Sequence, residues 1–204
     1  MARRAGTRST QLRVRVAEEA ARIMREQGVR DYLLAKRKAA DRLGVDDRTA
    51  LPANQEIAAA LSAQQRLFGG TAHETNLRSM RESALQAMDM LAGFSPRLVG
   101  AVLDGTAMPH SDVNIHVFAD SPEEVAFHLM ETGVRYRSGD RRIRLSAGRY
   151  ASYPTFVFEL GETTVDLTVF PAAALRQAPT CPVTGGPMRR ARREELAELL
   201  AGAA

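Results

Sequence analysis

The 204-residue chain contains one cysteine, no tryptophan, four tyrosines and seven phenylalanines. A lone Cys181 excludes an internal disulfide and any cysteine-built zinc module. Its neighbours Thr180 and Pro182 offer no base, so an idle or buried thiol is expected there rather than a nucleophile. Scarce aromatics argue against recognition of nucleic acid by base-stacking platforms, and neither an RNP-like nor a helix-turn-helix pattern stands out. No apolar run approaches the ~20 residues that span a bilayer. The basic start, Met1 to Arg8, continues into Gln11-Leu-Arg-Val-Arg-Val16 with no apolar stretch of the secretory type. A cytoplasmic location and no membrane partner are the expectations. Lysine is nearly missing as well: of 28 basic residues only Lys36 and Lys38 are lysines, leaving 26 arginines against 24 acids, a net charge of +4.

What is present falls into two parts with different periods. In residues 1–94 the apolar spacing is helical. Leu12, Val16, Ala20 and Ile23 share one face before Gly28. Asp31 can cap a second helix carrying Tyr32, Ala35, Ala39 and Leu43, closed by Gly44. Pro52 suits a first turn ahead of Ile57, Leu61 and Phe68, and Leu77, Met80, Ala84, Met88 and Leu91 form a fourth stripe ending near Gly93. Residues 95–204 alternate instead. Val113 to Phe118 has period two, and Ser121-Pro-Glu-Glu124 reads as a helix start with a capping box. Val134 to Leu145 reads as arginine-studded strand. Thr155–Phe158 and Thr163–Phe170 read as a hairpin turning at Gly161-Glu162, and a last helix runs from about Arg190 to Leu200. The expected fold is α+β: an all-helical N-terminal region over 1–94, then a small mixed sheet flanked by helices over 95–204.

The densest polar signal lies between Gly100 and His116. Strand alternation sends Val113, Ile115 and Val117 to one face and Asp112, Asn114, His116 and Phe118 to the other. In the later strand Val165, Leu167 and Val169 oppose Thr164, Asp166 and Thr168. If the two strands are neighbours, Asp166 stands beside Asp112 and Asn114, an oxygen set suited to Mg²⁺. His110 and His116 sit six apart on a loop and a strand and read as hydrogen-bonded or solvent-facing rather than as ligands. His73 and His128 stand singly. Gly105-Thr106 lacks the Lys-Ser/Thr of a phosphate-binding P-loop.

The run Gly100-x4-Gly105-Thr106-Ala107-x3-Ser111-Asp112-Val113-Asn114, with Asp166 following in Val-Asp-Leu-Thr-Val, resembles the DNA polymerase beta-type nucleotidyltransferase superfamily over about Arg97 to Phe170. In that family a Gly-Ser pair leads to an Asp-hydrophobic-Asp on a strand, and a later strand supplies a third carboxylate. The resemblance implies Mg²⁺-dependent transfer of a nucleoside monophosphate from a nucleoside triphosphate to a hydroxyl acceptor. It implies that Asp112 and Asp166 are catalytic, that Asp112, Asn114 and Asp166 hold metal, and that the backbone at Gly100 and Ala101 cradles phosphate. Two positions depart from the pattern. Ala101 replaces the serine, and Asn114 replaces the second carboxylate, so the site has the charge for one Mg²⁺ rather than two.

Positive charge clusters in three places. Residues 1–45 hold twelve cations against five acids, which solvated helix faces and a bias toward arginine account for. Residues 135–149 hold six arginines against Asp140 alone, and four more stand at 189, 190, 192 and 193. The second cluster follows the carboxylate-bearing strand, so one or more of Arg141, Arg142 and Arg144 are expected to neutralise a triphosphate or a nucleic-acid backbone. Asn114 favours the competing reading, a non-catalytic module of the same fold serving as a nucleic-acid or protein platform. A purely structural C-terminal domain behind a helical scaffold is the third.

Overall fold

The computed structural model describes residues 2–29, 31–45, 51–68 and 70–202. The chain forms two compact units, residues 1–74 with 182–184, and residues 75–181 with 185–204. The division falls inside the fourth helix.

The first unit is helical. Helix α1 (Ala2–Gln27) packs on α2 (Tyr32–Leu43) and α3 (Asn54–Phe68). The predicted stripe on α1 is buried at Val16, Ala20 and Ile23, and α2 meets it with Ala35, Ala39 and Ala40, whose small side chains permit close approach. The Asp31 carboxylate accepts from the Leu34 backbone N–H at 2.9 Å, and Gly44 closes α2 in the left-handed conformation, both as the residue pattern predicts. Pro52 lies outside α3; the Glu56 carboxylate accepts from the Ala53 N–H at 2.7 Å instead and also pairs with Arg13 on α1. The side chain of Phe68 lies outside the described residues. Asn54 donates to the Pro182 carbonyl, which ties residues 182–184 to this unit.

The second unit is built on a five-stranded mixed sheet in the order β1-β2-β5-β4-β3, with β1 Arg97–Val99, β2 Val113–Ala119, β3 Tyr136–Arg144, β4 Tyr150–Leu160 and β5 Thr163–Pro171. β2 and β5 run parallel; the other neighbours are antiparallel. One face is dry. Val113, Ile115 and Val117 of β2 and Val165, Leu167 and Val169 of β5 pack with Met80, Ala84, Met88 and Leu91, with Val125 and Leu129 of α6 (Pro122–Glu131), and with Leu196 of α7 (Arg193–Ala201). The fourth helix, α4 (Gly70–Met90), thus contributes its residues from Met80 onward to the core of the sheet.

Two local expectations are corrected. Ser121 stands extended before α6 but makes no side-chain capping bond, so Pro122 at the first turn marks the start. β4 begins at Tyr150, ahead of the predicted Thr155, and runs through Pro154. Pairing of β4 with β5 extends from Thr155 to Leu160, so Pro154 lies where only β3 is a partner and its missing N–H breaks no ladder with β5.

Candidate active site

The site grows from the turn between β1 and β2. Val99 pairs with Asn114, and the next residue, Gly100, takes φ 73° and ψ −152°, a conformation open essentially to glycine alone. This turns the chain into the four-residue α5 (Ala101–Asp104), whose first bond runs from the Asp104 N–H to the Gly100 carbonyl. A Cβ at Gly100 would stand 4.0 Å from Asn114 Nδ2, so turn and strand are in contact. Ser111 closes the loop ahead of β2: its hydroxyl accepts from the Met108 N–H at 2.8 Å, while its own N–H donates to the Met108 carbonyl at 2.9 Å.

Asp112 sits half-buried just before β2, and Asn114 Nδ2 donates to its backbone carbonyl at 3.0 Å. On the neighbouring parallel strand Asp166 stands directly opposite Asn114. The adjacency conditional on strand order is therefore present for Asn114 and Asp166. Asp166 is 6 % exposed. Its Oδ2 accepts from Arg141 Nη2 at 2.5 Å, and its Oδ1 is buried with no hydrogen-bond partner among the described residues. Arg141 reaches this carboxylate from β3 by lying over β4, where it faces Tyr153, and a second nitrogen donates to Thr168 Oγ1 at 3.4 Å.

The three candidate phosphate-neutralising arginines do not share a face. Arg141 shares the face of Asp166, Thr168 and Tyr153. Arg142 and Arg144, paired with Ser152 and Tyr150, lie on the opposite face, exposed, with the Arg142 guanidinium 4.6 Å above the Tyr150 ring. Strand alternation separates them.

A second cluster on the Asp166 face has no counterpart in the residue pattern. His116, 5 % exposed, accepts at Nδ1 from Arg190 Nε at 3.2 Å. Burial, with the Arg190 and Arg141 cations adding to it, pushes the imidazole down to about 3, so His116 is neutral with its proton on Nε2. Arg190 lies 5.0 Å above both Phe118 and Phe170 and donates through Nη1 to the carbonyls of Ala174 and Gln177. Burial and the nearby Arg97 bring Arg190 down to about 10. The residue fastens the segment before α7 and the 3-10 turn Ala172–Arg176 onto β2 and β5. In sequence it is one of four similar arginines after a Gly-Gly loop, and nothing there distinguishes it.

Two carboxylates and one amide would carry the charge to offset one hard cation rather than a pair. Asp166 Oδ1 is a buried oxygen without a hydrogen-bond partner among the described residues, on the residue opposite Asn114, and Asp112 precedes the paired stretch of β2. Yet one oxygen of Asp166 is taken by a guanidinium, and Asn114 brings no charge to offset repulsion between two ions. Among the described residues no group of three or more His, Cys, Asp or Glu side chains is placed to share a metal. Nor, among them, is any helix long and apolar enough to cross a membrane. Comparison with known proteins found no matching family model, no matching curated protein and no matching solved structure.

Proposed function

We propose that the chain is a nucleotidyltransferase-type protein that binds a nucleoside triphosphate at the β1–α5 turn, with transfer to a hydroxyl acceptor attenuated. The observation that carries this reading is the register: Asn114 and Asp166 are opposite one another on adjacent parallel strands, and Gly100 turns the chain against Asn114. In this reading Asp112, Asn114 and Asp166 hold one Mg²⁺, which supplies charge neutralisation to the phosphates when bound. The backbone at Gly100 and Ala101 approaches the phosphate oxygens, and Arg141 balances charge on the same face. Without the serine hydroxyl at position 101 and a carboxylate at 114, the chain lacks groups that would stabilise the charge developing in transfer.

The Arg141–Asp166 ion pair favours a second reading, a module of this fold that keeps the sheet and does no chemistry. Calorimetric titration with ATP in the presence and absence of Mg²⁺ separates the two. Metal-dependent nucleotide binding that is lost in Asp112→Ala and Asp166→Asn, with melting temperatures retained, supports the first. Binding that is unaffected by both substitutions overturns the site, and no binding by the wild type leaves the second reading. Under the first, Asn114→Asp raises release of labelled pyrophosphate.

A further inference from the structure

Of the six arginines between 135 and 149, Arg141 alone has an acidic partner among the described residues. Elsewhere in the same unit Arg78 pairs with Glu82 and Arg193 with Asp89, while the exposed Arg176, Arg189 and Arg192 form no salt bridge among the described residues. β3 is the outermost strand of the sheet. Charge on such a strand keeps it from pairing with another sheet, and that role needs nothing more than charge. The β3–β4 hairpin carries something more. Tyr150, at the start of β4, stays 56 % exposed even with the Arg142 guanidinium stacked above it. It is the cross-strand partner of Arg144, and Arg142 and Arg144 are two residues apart on that same face, about 7 Å along the strand. Arg149 precedes Tyr150 and is exposed.

An exposed ring beside arginines that have no acidic partner combines the two elements that hold unpaired nucleotides: a π-face for a base and guanidinium groups for the flanking phosphates. We propose that the exposed face of the hairpin formed by Arg142, Arg144 and Tyr150, with Arg149 exposed at its edge, binds single-stranded nucleic acid. Single strands are favoured over duplex because a base reaches the Tyr150 ring only when it is free of its own stack. Recognition is sequence-tolerant, since every base offers a π-face to the Tyr150 ring and the guanidinium groups pair with phosphates. The face is opposite to the one carrying Asp166, so the proposal stands independently of nucleotide binding there.

The test is fluorescence anisotropy of the full chain with a short labelled oligouridylate, in EDTA and over a series of salt concentrations. Three phosphate contacts predict a log–log salt slope of about −2, at about 0.7 per phosphate. Arg142→Ala/Arg144→Ala is expected to lower affinity at least tenfold and bring the slope to about −1. Tyr150→Ala is expected to cost about tenfold at an unchanged slope. Asp166→Asn is expected to leave binding as it was, so failure of the nucleotide site does not touch this result. Arg142, Arg144 and Tyr150 are exposed, and unchanged melting curves show that the fold is retained in every variant. Equal affinity for a duplex of the same length, full binding by Tyr150→Ala, or equally effective competition by a poly-glutamate peptide overturns the proposal, the last in favour of an acidic protein partner.

Discussion

Arg141 and Asp166 meet across an intervening strand, one rooted on the outermost strand of the sheet and the other near its centre, at 2.5 Å. The guanidinium is 41 % exposed at the side chain and the carboxylate 8 %, so the pair is wet at one end and dry at the other. An anion this deep is tolerated because its partner brings the charge in from solvent.

Removing that partner leaves a buried carboxylate uncompensated. Arg141→Gln is expected to lower unfolding free energy by about 1–3 kcal/mol, as for a hydrogen bond to a charged group. Adding Asp166→Asn to it recovers part of the loss. Urea denaturation of the two single variants and the double variant measures the coupling.

His116 makes stability depend on pH. A base whose folded pKa lies below its unfolded value of 6.5 binds a proton more weakly when folded, so its contribution is complete above pH 6.5. It is lost as pH falls from 6.5 toward about 3. Between pH 6.5 and 4.5 this amounts to about 2–3 kcal/mol. His116→Gln keeps an acceptor for Arg190 and does not titrate, so its stability should fall less than the wild type's over that range in paired urea titrations. Equal slopes for the two proteins would remove His116 as the cause.

Gly100→Ala puts a Cβ on a backbone at φ 73° and ψ −152°. A cost of about 1–3 kcal/mol follows from the strain alone. Because relief of that strain moves the β1–α5 turn, ATP affinity is expected to drop along with the melting temperature.

Met88, 1 % exposed, belongs to the core shared with β2 and β5. Met88→Ala should cost about 2–5 kcal/mol. The loss is read in the unfolding of the sheet by far-ultraviolet circular dichroism, and a change confined to the helical signal would contradict the placement of α4.

Particular residues explain which features were legible in the sequence. Val113, Ile115 and Val117 alternate with polar neighbours because one face of β2 is dry, and the same rule placed Asp166 opposite the apolar face of β5. Asp31 and Gly44 mark helix ends through local hydrogen bonding, which sequence carries directly. Long-range partners are different. That Arg141 finds Asp166 depends on a strand order that no local pattern encodes, and alternation alone sets Arg142 on the other side. The grip of Arg190 on His116, Phe118 and Phe170 joins residues 74 apart in the case of His116. Pro154 concealed the first half of β4 because a proline inside a strand ordinarily argues against one.

That proline has a mechanical consequence. From Pro154 back toward Tyr150, β4 is paired with β3 alone, so this stretch with its partner residues is a two-stranded ribbon continuing from a five-stranded sheet. Two-stranded ribbons twist more strongly and resist opening less than wider sheets. Amide exchange should therefore quicken from Phe158 toward Tyr150, while Tyr153 against Phe170 and the Thr180 N–H on the Arg144 carbonyl tie the ribbon back to the rest of the unit.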